Sequence, residues 1–153
     1  MESIELAQQE LLHAYLKIFL IKATRIKIEE NQQNYNNNAN NQEVFILSNL
    51  QQAIEQHYKI KHTASDYSNL LNTSNQILAK ISKKYFHKTL SNLIADRIVV
   101  EAKRELYFSG KSIKEIAFEL GYEDQYYFSR FFKKNTKISP QLFRQSMNLI
   151  KLD

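Results

Sequence analysis

The chain is predicted to be all-α, with two helix-turn-helix subdomains joined by a long central helix and preceded by an amphipathic N-terminal helix. Three observations carry this. Two glycines and one proline among 153 residues leave Asn, Ser and Thr to make most turns, which suits helices better than a β-rich fold. Apolar residues recur three and four positions apart through most of the length. Several of these runs open on Ser or Thr followed three residues later by Glu, Gln or Asp, the pattern of a capped helix start.

Residues 3–30 are expected to form one helix of linker or dimerisation type. Ile4, Leu11 and Ile18 fall seven apart, as do Ala7, Ala14, Ile21 and Ile28, which makes an a/d-like seam. A second stripe of Leu12, Tyr15, Phe19 and Ile26 gives the helix two apolar faces and so two neighbours. The seam fits a homodimer as well as packing within the chain. Residues 31–42 hold seven Asn and three Gln. They can bury little apolar area, and read as a flexible polar linker.

The pattern resumes at 43–60, where Val44, Leu47, Leu50, Ile54 and Tyr58 share a face. Thr63 with Asp66 then caps a short helix to Leu71. Asn72 supplies a left-handed turn, and Thr73 with Gln76 is expected to be a second capping box opening the helix SNQILAKISKKYF. This first helix-turn-helix covers about 63–87.

A connecting helix is predicted over 91–108, with Leu93, Ile94, Ile98, Val99, Ala102, Leu106 and Tyr107 on its apolar face. Gly110 is expected to end it. The second helix-turn-helix covers about 112–134. Ser112 and Glu115 form its capping box, Ile113, Ile116, Ala117 and Leu120 face inward, and Gly121 makes the turn. The following helix starts near Asp124 and is expected to bury Tyr127, Phe128, Phe131 and Phe132. Ser139-Pro140 is a favourable helix start.

Charge is uneven. Residues 1–61 carry 6 Lys+Arg against 7 Asp+Glu, whereas residues 62–153 carry 15 against 9. A basic half-chain is what a polyanion-binding module needs. With no cysteine there is no disulfide or thiolate metal site, and His13, His57, His62 and His87 lack ligand spacing. No metal or cofactor is expected. The N-terminus lacks a signal pattern, and no apolar run approaches the ~20 residues of a membrane span. A cytoplasmic, nucleoid-associated chain is therefore expected.

Enzyme activity is not expected. Gly110-Lys111-Ser112 looks like the tail of a phosphate loop, but that loop needs Gly where Glu105 stands. Paired carboxylates and an activated nucleophile are missing from the pattern as well, so no catalytic residue is assigned.

The second helix of a helix-turn-helix enters the major groove and shows its first two turns to base edges. In the C-terminal unit the outward positions include Gln125, Tyr126, Ser129 and Arg130. Gln can bond adenine at two points and Arg guanine; Ser can reach a base or phosphate, and the Tyr ring can meet a thymine methyl. Lys133 and Lys134 suit phosphates. The first unit offers Asn75, Gln76, Ala79 and Lys80 to bases, with Lys83 and Lys84 for phosphates. A point-charge Lys discriminates less than a forked Arg, so this helix is expected to specify sequence less sharply.

From about Leu47 to Phe143 the chain resembles the DNA-binding domain of the AraC/XylS family of bacterial transcription regulators. The run ADRIVVEAKRELYFSGKSIKEIAFELGYEDQYYFSRFFKKNTKISPQLFR carries the resemblance. It implies a DNA-binding domain over 43–150, with seven helices and recognition helices in successive major grooves. Double-stranded promoter or operator DNA is the implied partner, and recruiting or positioning RNA polymerase is the expected mode of action, with the sign of regulation left open. Asn72 departs from the Gly usual in the family. Family members commonly carry an N-terminal sensor, and none fits here; the expectation is a piece of a larger regulator or a short member without one. The rival from another class is a helical protein-interaction module that docks a partner through 3–30 and binds DNA weakly or without specificity.

Overall fold

A computed structural model describes residues 38–150, with side chains from 41 to 147. The chain divides into two compact units between Gln42 and Glu43, and all the described residues except 38–42 belong to the second. The helix expected at 3–30 and residues 31–37 of the expected linker lie outside the described residues.

The described residues form seven helices and no strand. They are α1 (Asn38–His57), α2 (Ala64–Leu70), α3 (Asn75–Phe86), α4 (Leu90–Phe108), α5 (Ile113–Glu119), α6 (Gln125–Thr136) and α7 (Pro140–Ile150). α1 corrects the expected boundary, because residues 38–42 are helical. Extending an existing helix adds one hydrogen bond per residue fixed, so the modest penalty of Asn is carried by the apolar stripe beyond it.

The first helix-turn-helix is α2, its turn and α3. Thr63 and Asp66 cap each other: Asp66 N–H donates to Thr63 Oγ1 at 3.2 Å, and Thr63 N–H to Asp66 Oδ2 at 2.9 Å. Asn72 is left-handed at φ 47°. The expected Thr73–Gln76 box does not form. Ser74 is the cap, accepting from Ile77 N–H at 3.3 Å. Thr73 donates instead to the Leu71 carbonyl at 3.0 Å, which satisfies an orphan group at the end of α2 and moves the cap on by one residue.

α4 starts on Thr89, which accepts from Asn92 N–H at 3.2 Å. Its end differs from expectation: extended Ser109 terminates it, not a left-handed Gly110. Ser109 satisfies the Glu105 carbonyl with both its N–H and its hydroxyl, so no left-handed residue is required there.

In the second helix-turn-helix, Glu115 N–H donates to Ser112 Oγ at 3.2 Å and Ser112 N–H to Glu115 Oε2 at 2.7 Å. Gly121 takes φ +78°, and a Cβ there would lie 1.9 Å from the Lys59 carbonyl oxygen. Only glycine fits so close an approach. Ser139 accepts from Leu142 N–H at 3.2 Å and Pro140 opens α7.

One continuous apolar core serves both helix-turn-helix units. Leu50 and Ile54 of α1, Tyr67, Leu78, Ile94, Ile98, Ala102 and Leu106 join Ile116, Leu120, Phe128 and Phe132. α4 is its axis and packs against α3, α5, α6 and α7. Phe128 and Phe132, four apart, are fully buried and Phe131 is half-buried. Tyr127, expected inside, is exposed. The i, i+4 stripe already fills the inward face, and Tyr127 lies about a quarter-turn off it.

α1 is also tied to α4 electrostatically. The Arg97 Nε lies 2.9 Å from Glu55, and its guanidinium sits 3.9 Å from the Tyr58 ring centre. Glu101 is buried between Arg97 and Arg104, at 3.2 and 2.6 Å.

Candidate nucleic-acid interface

α3 and α6 are the second helices of their units, and local chemistry fixes both ends of each. Ser74 caps α3, and Asp124 caps α6 by accepting from Tyr126 N–H at 2.8 Å. Left-handed His87 and Lys137 terminate them at φ 56° and 72°. Each helix buries one stripe, Leu78 and Ile81 in α3 and Phe128 and Phe132 in α6. The opposite stripe is thereby turned to solvent.

On α3, Asn75, Gln76, Ala79, Lys80, Lys83 and Lys84 are all exposed. On α6, Tyr126, Arg130, Lys133 and Lys134 are exposed, while Gln125 and Ser129 are half-buried. Every expected contact residue therefore lies at or beside a solvent-facing stripe, in two groups on helices that both pack on α4.

The two groups differ in electrostatics. Glu43 of α1 engages Lys84 by a short ion pair and Lys80 at 3.3 Å. Its carboxyl is held below the ordinary range, first by the hydrogen bond from Lys84 and then by that from Lys80. The Lys84 ammonium is raised by the same bond. Among the described residues no ion pair involves Lys83, Arg130, Lys133 or Lys134.

Gln125 lines a cleft of about 530 Å³ with Ser112, Ile113 and Lys114 of the α5 start and Gln141, Arg144 and Gln145 of α7. Arg144 donates from Nε to the Leu106 carbonyl at 3.2 Å, and one terminal guanidinium nitrogen is buried with no partner. Arg144 thus keeps one N–H without an acceptor, and the cleft it lines also presents one ammonium and three amides. The sequence does not single out Lys114 or Arg144. Both lie within the run that carries the family resemblance, and only folding brings them to one cleft.

Among the described residues no group of three or more His, Asp or Glu could hold a metal ion. No helix among them is long and apolar enough to cross a membrane.

A family model described as a helix-turn-helix domain matches residues 67–146. The raffinose operon transcriptional regulatory protein RafR of Pediococcus pentosaceus is 28% identical over 96 residues, 63% of this chain and 35% of that one. The chain thus spans about a third of that relative's length. Among solved structures, the C-terminal domain of the response regulator AraT from Geobacillus stearothermophilus is similar with TM-score 0.62 and 28% identity, over 66% of this chain and 84% of that one. The C-terminal domain of the two-component response regulator yesN from Fusobacterium nucleatum gives TM-score 0.60 and 30% identity, over 65% of this chain and 97% of that one.

Proposed function

Because the chain belongs to the AraC-type helix-turn-helix family of transcriptional regulators, we propose that it binds double-stranded DNA in a sequence-specific manner and regulates transcription from the sites it occupies. The observation that carries this reading is the pair of solvent-facing polar and basic stripes on α3 and α6, each on the second helix of a capped helix-turn-helix. In this reading Gln125, Tyr126, Ser129 and Arg130 meet bases in one major-groove segment, and Asn75, Gln76, Ala79 and Lys80 meet those in the next. Lys83, Lys84, Lys133 and Lys134 hold phosphates, and the cleft of Lys114 and Arg144 takes a further one.

The DNA-binding domain is assigned to 43–150, and residues 3–30 to a dimerising or joining role. The chain acts in the cytoplasm, at the nucleoid, has no catalytic role and positions RNA polymerase at promoters. The match to a helix-turn-helix family model and to a transcriptional regulatory protein supports the regulatory part of this reading.

Titrating the full chain with a duplex of about 25 base pairs, long enough for two successive groove segments, tests the reading. Log affinity is expected to fall linearly with log salt, with a slope of about −0.9 for each phosphate neutralised. Absence of salt-dependent binding would favour the protein-interaction module instead.

A further inference from the structure

We propose that Glu43 sets how strongly the first recognition helix holds DNA, by competing with DNA for Lys80, which meets a base edge, and Lys84, which holds a phosphate. This inference rests on the DNA-binding reading and concerns a residue outside both recognition helices.

The exposed stripe of α3 carries three ammonium groups, Lys80, Lys83 and Lys84. One carboxylate, on the second turn of α1, meets two of them: Lys80 at 3.3 Å and Lys84 by a short charged hydrogen bond. The same carboxylate lies 3.4 Å from the Tyr85 hydroxyl, which fixes it over the helix rather than in bulk water. Its side chain is only 23% exposed, whereas that of Lys80 is 72% exposed. The acid is thus the more enclosed partner, and the two lysines are the more exposed ones.

Charge alone then has two effects. A lysine matched by a carboxylate has less charge to offer a phosphate. The carboxylate itself lies within a Debye length, about 10 Å, of phosphates brought to α3 and repels them. The second unit carries no such acid against Arg130, Lys133 or Lys134 among the described ion pairs. The first unit is consequently the weaker holder of DNA. Lys80 can reach a base edge only after it leaves Glu43.

The test compares Glu43→Gln with Glu55→Gln in the full chain. Both remove one negative charge from α1, but Glu55 pairs with Arg97 of α4 and not with α3. On a mixed-sequence duplex of about 25 base pairs at low salt, Glu43→Gln is expected to tighten binding about three- to tenfold, with the salt slope steeper by about one to two units. Glu55→Gln is expected to change affinity by less than about twofold. In a Lys80→Ala, Lys84→Ala background the Glu43→Gln gain should shrink to the part left by direct repulsion, since the pairing contribution requires both sides of the pair.

Three results would overturn the inference while leaving DNA binding intact: no tightening by Glu43→Gln, equal tightening by Glu55→Gln, or an undiminished gain without the two lysines. Failure of every variant, and of the unaltered chain, to bind duplex would overturn the DNA-binding reading and this inference together.

Discussion

Arg130 and Lys133 stand one turn apart on α6, both exposed and outside the described ion pairs, yet their chemistry assigns them different tasks. A guanidinium presents two parallel N–H groups that match guanine O6 and N7, while an ammonium is a point charge suited to phosphate. Arg130→Ala is expected to cost about 1–3 kcal/mol on a specific site and to relax preference at one base pair. Equal loss on specific and random duplex would remove it from base reading. Lys133→Ala should weaken both duplexes alike and flatten the salt slope by about one unit. The turn residues are also separable. Gly121→Ala meets both a left-handed backbone and the Lys59 carbonyl at 1.9 Å, so urea unfolding should show a loss of about 3 kcal/mol or more. Asn72→Gly, at φ 47°, should change stability by less than about 1 kcal/mol, in the stabilising direction.

At the scale of the element, the caps are readable in the sequence and their neighbours less so. Thr63–Asp66, Ser112–Glu115 and Ser139–Pro140 stand where the sequence puts them, because a cap is decided by residues three apart. The Thr73–Gln76 box fails because Thr73 has a better use at the end of α2, which spacing does not reveal. The Glu43 pairs with Lys80 and Lys84, and the cleft of Lys114 and Arg144, join residues tens of positions apart. No local pattern encodes such contacts.

The caps also predict acid lability. The Asp66 carboxyl is lowered chiefly by the Thr63 hydroxyl, and that of Glu115 by the Ser112 N–H. Burial would raise Glu101, but the hydrogen bonds from Arg104 and Arg97 outweigh it and hold its carboxyl low. Unfolded carboxylates titrate near about pH 4. Groups lowered in the fold add stability that is fully present above that value and is lost as pH falls through their folded pKa values. The urea midpoint should therefore change little between about pH 7 and 5 from these groups, and fall below about pH 4. A midpoint unchanged down to about pH 3 would contradict the linkage.

For the whole folded unit, the property that matters is that both recognition helices rest on one core. α4 packs against α3 and α6. The Gly121 turn closes on Lys59, and Tyr122 stacks on His62 with ring centres 4.6 Å apart, so the second helix-turn-helix grips the segment leading into the first. Two readers fixed in this way should demand two DNA segments at a fixed separation. The measurement that tests this most directly is selection of preferred sites by the full chain from a randomised duplex of about 25 base pairs, at near-physiological salt. Two short boxes about one helical turn apart, ~10 base pairs, are the predicted result, the sharper one opposite α6. Absence of any enriched box would contradict sequence-specific recognition by these helices.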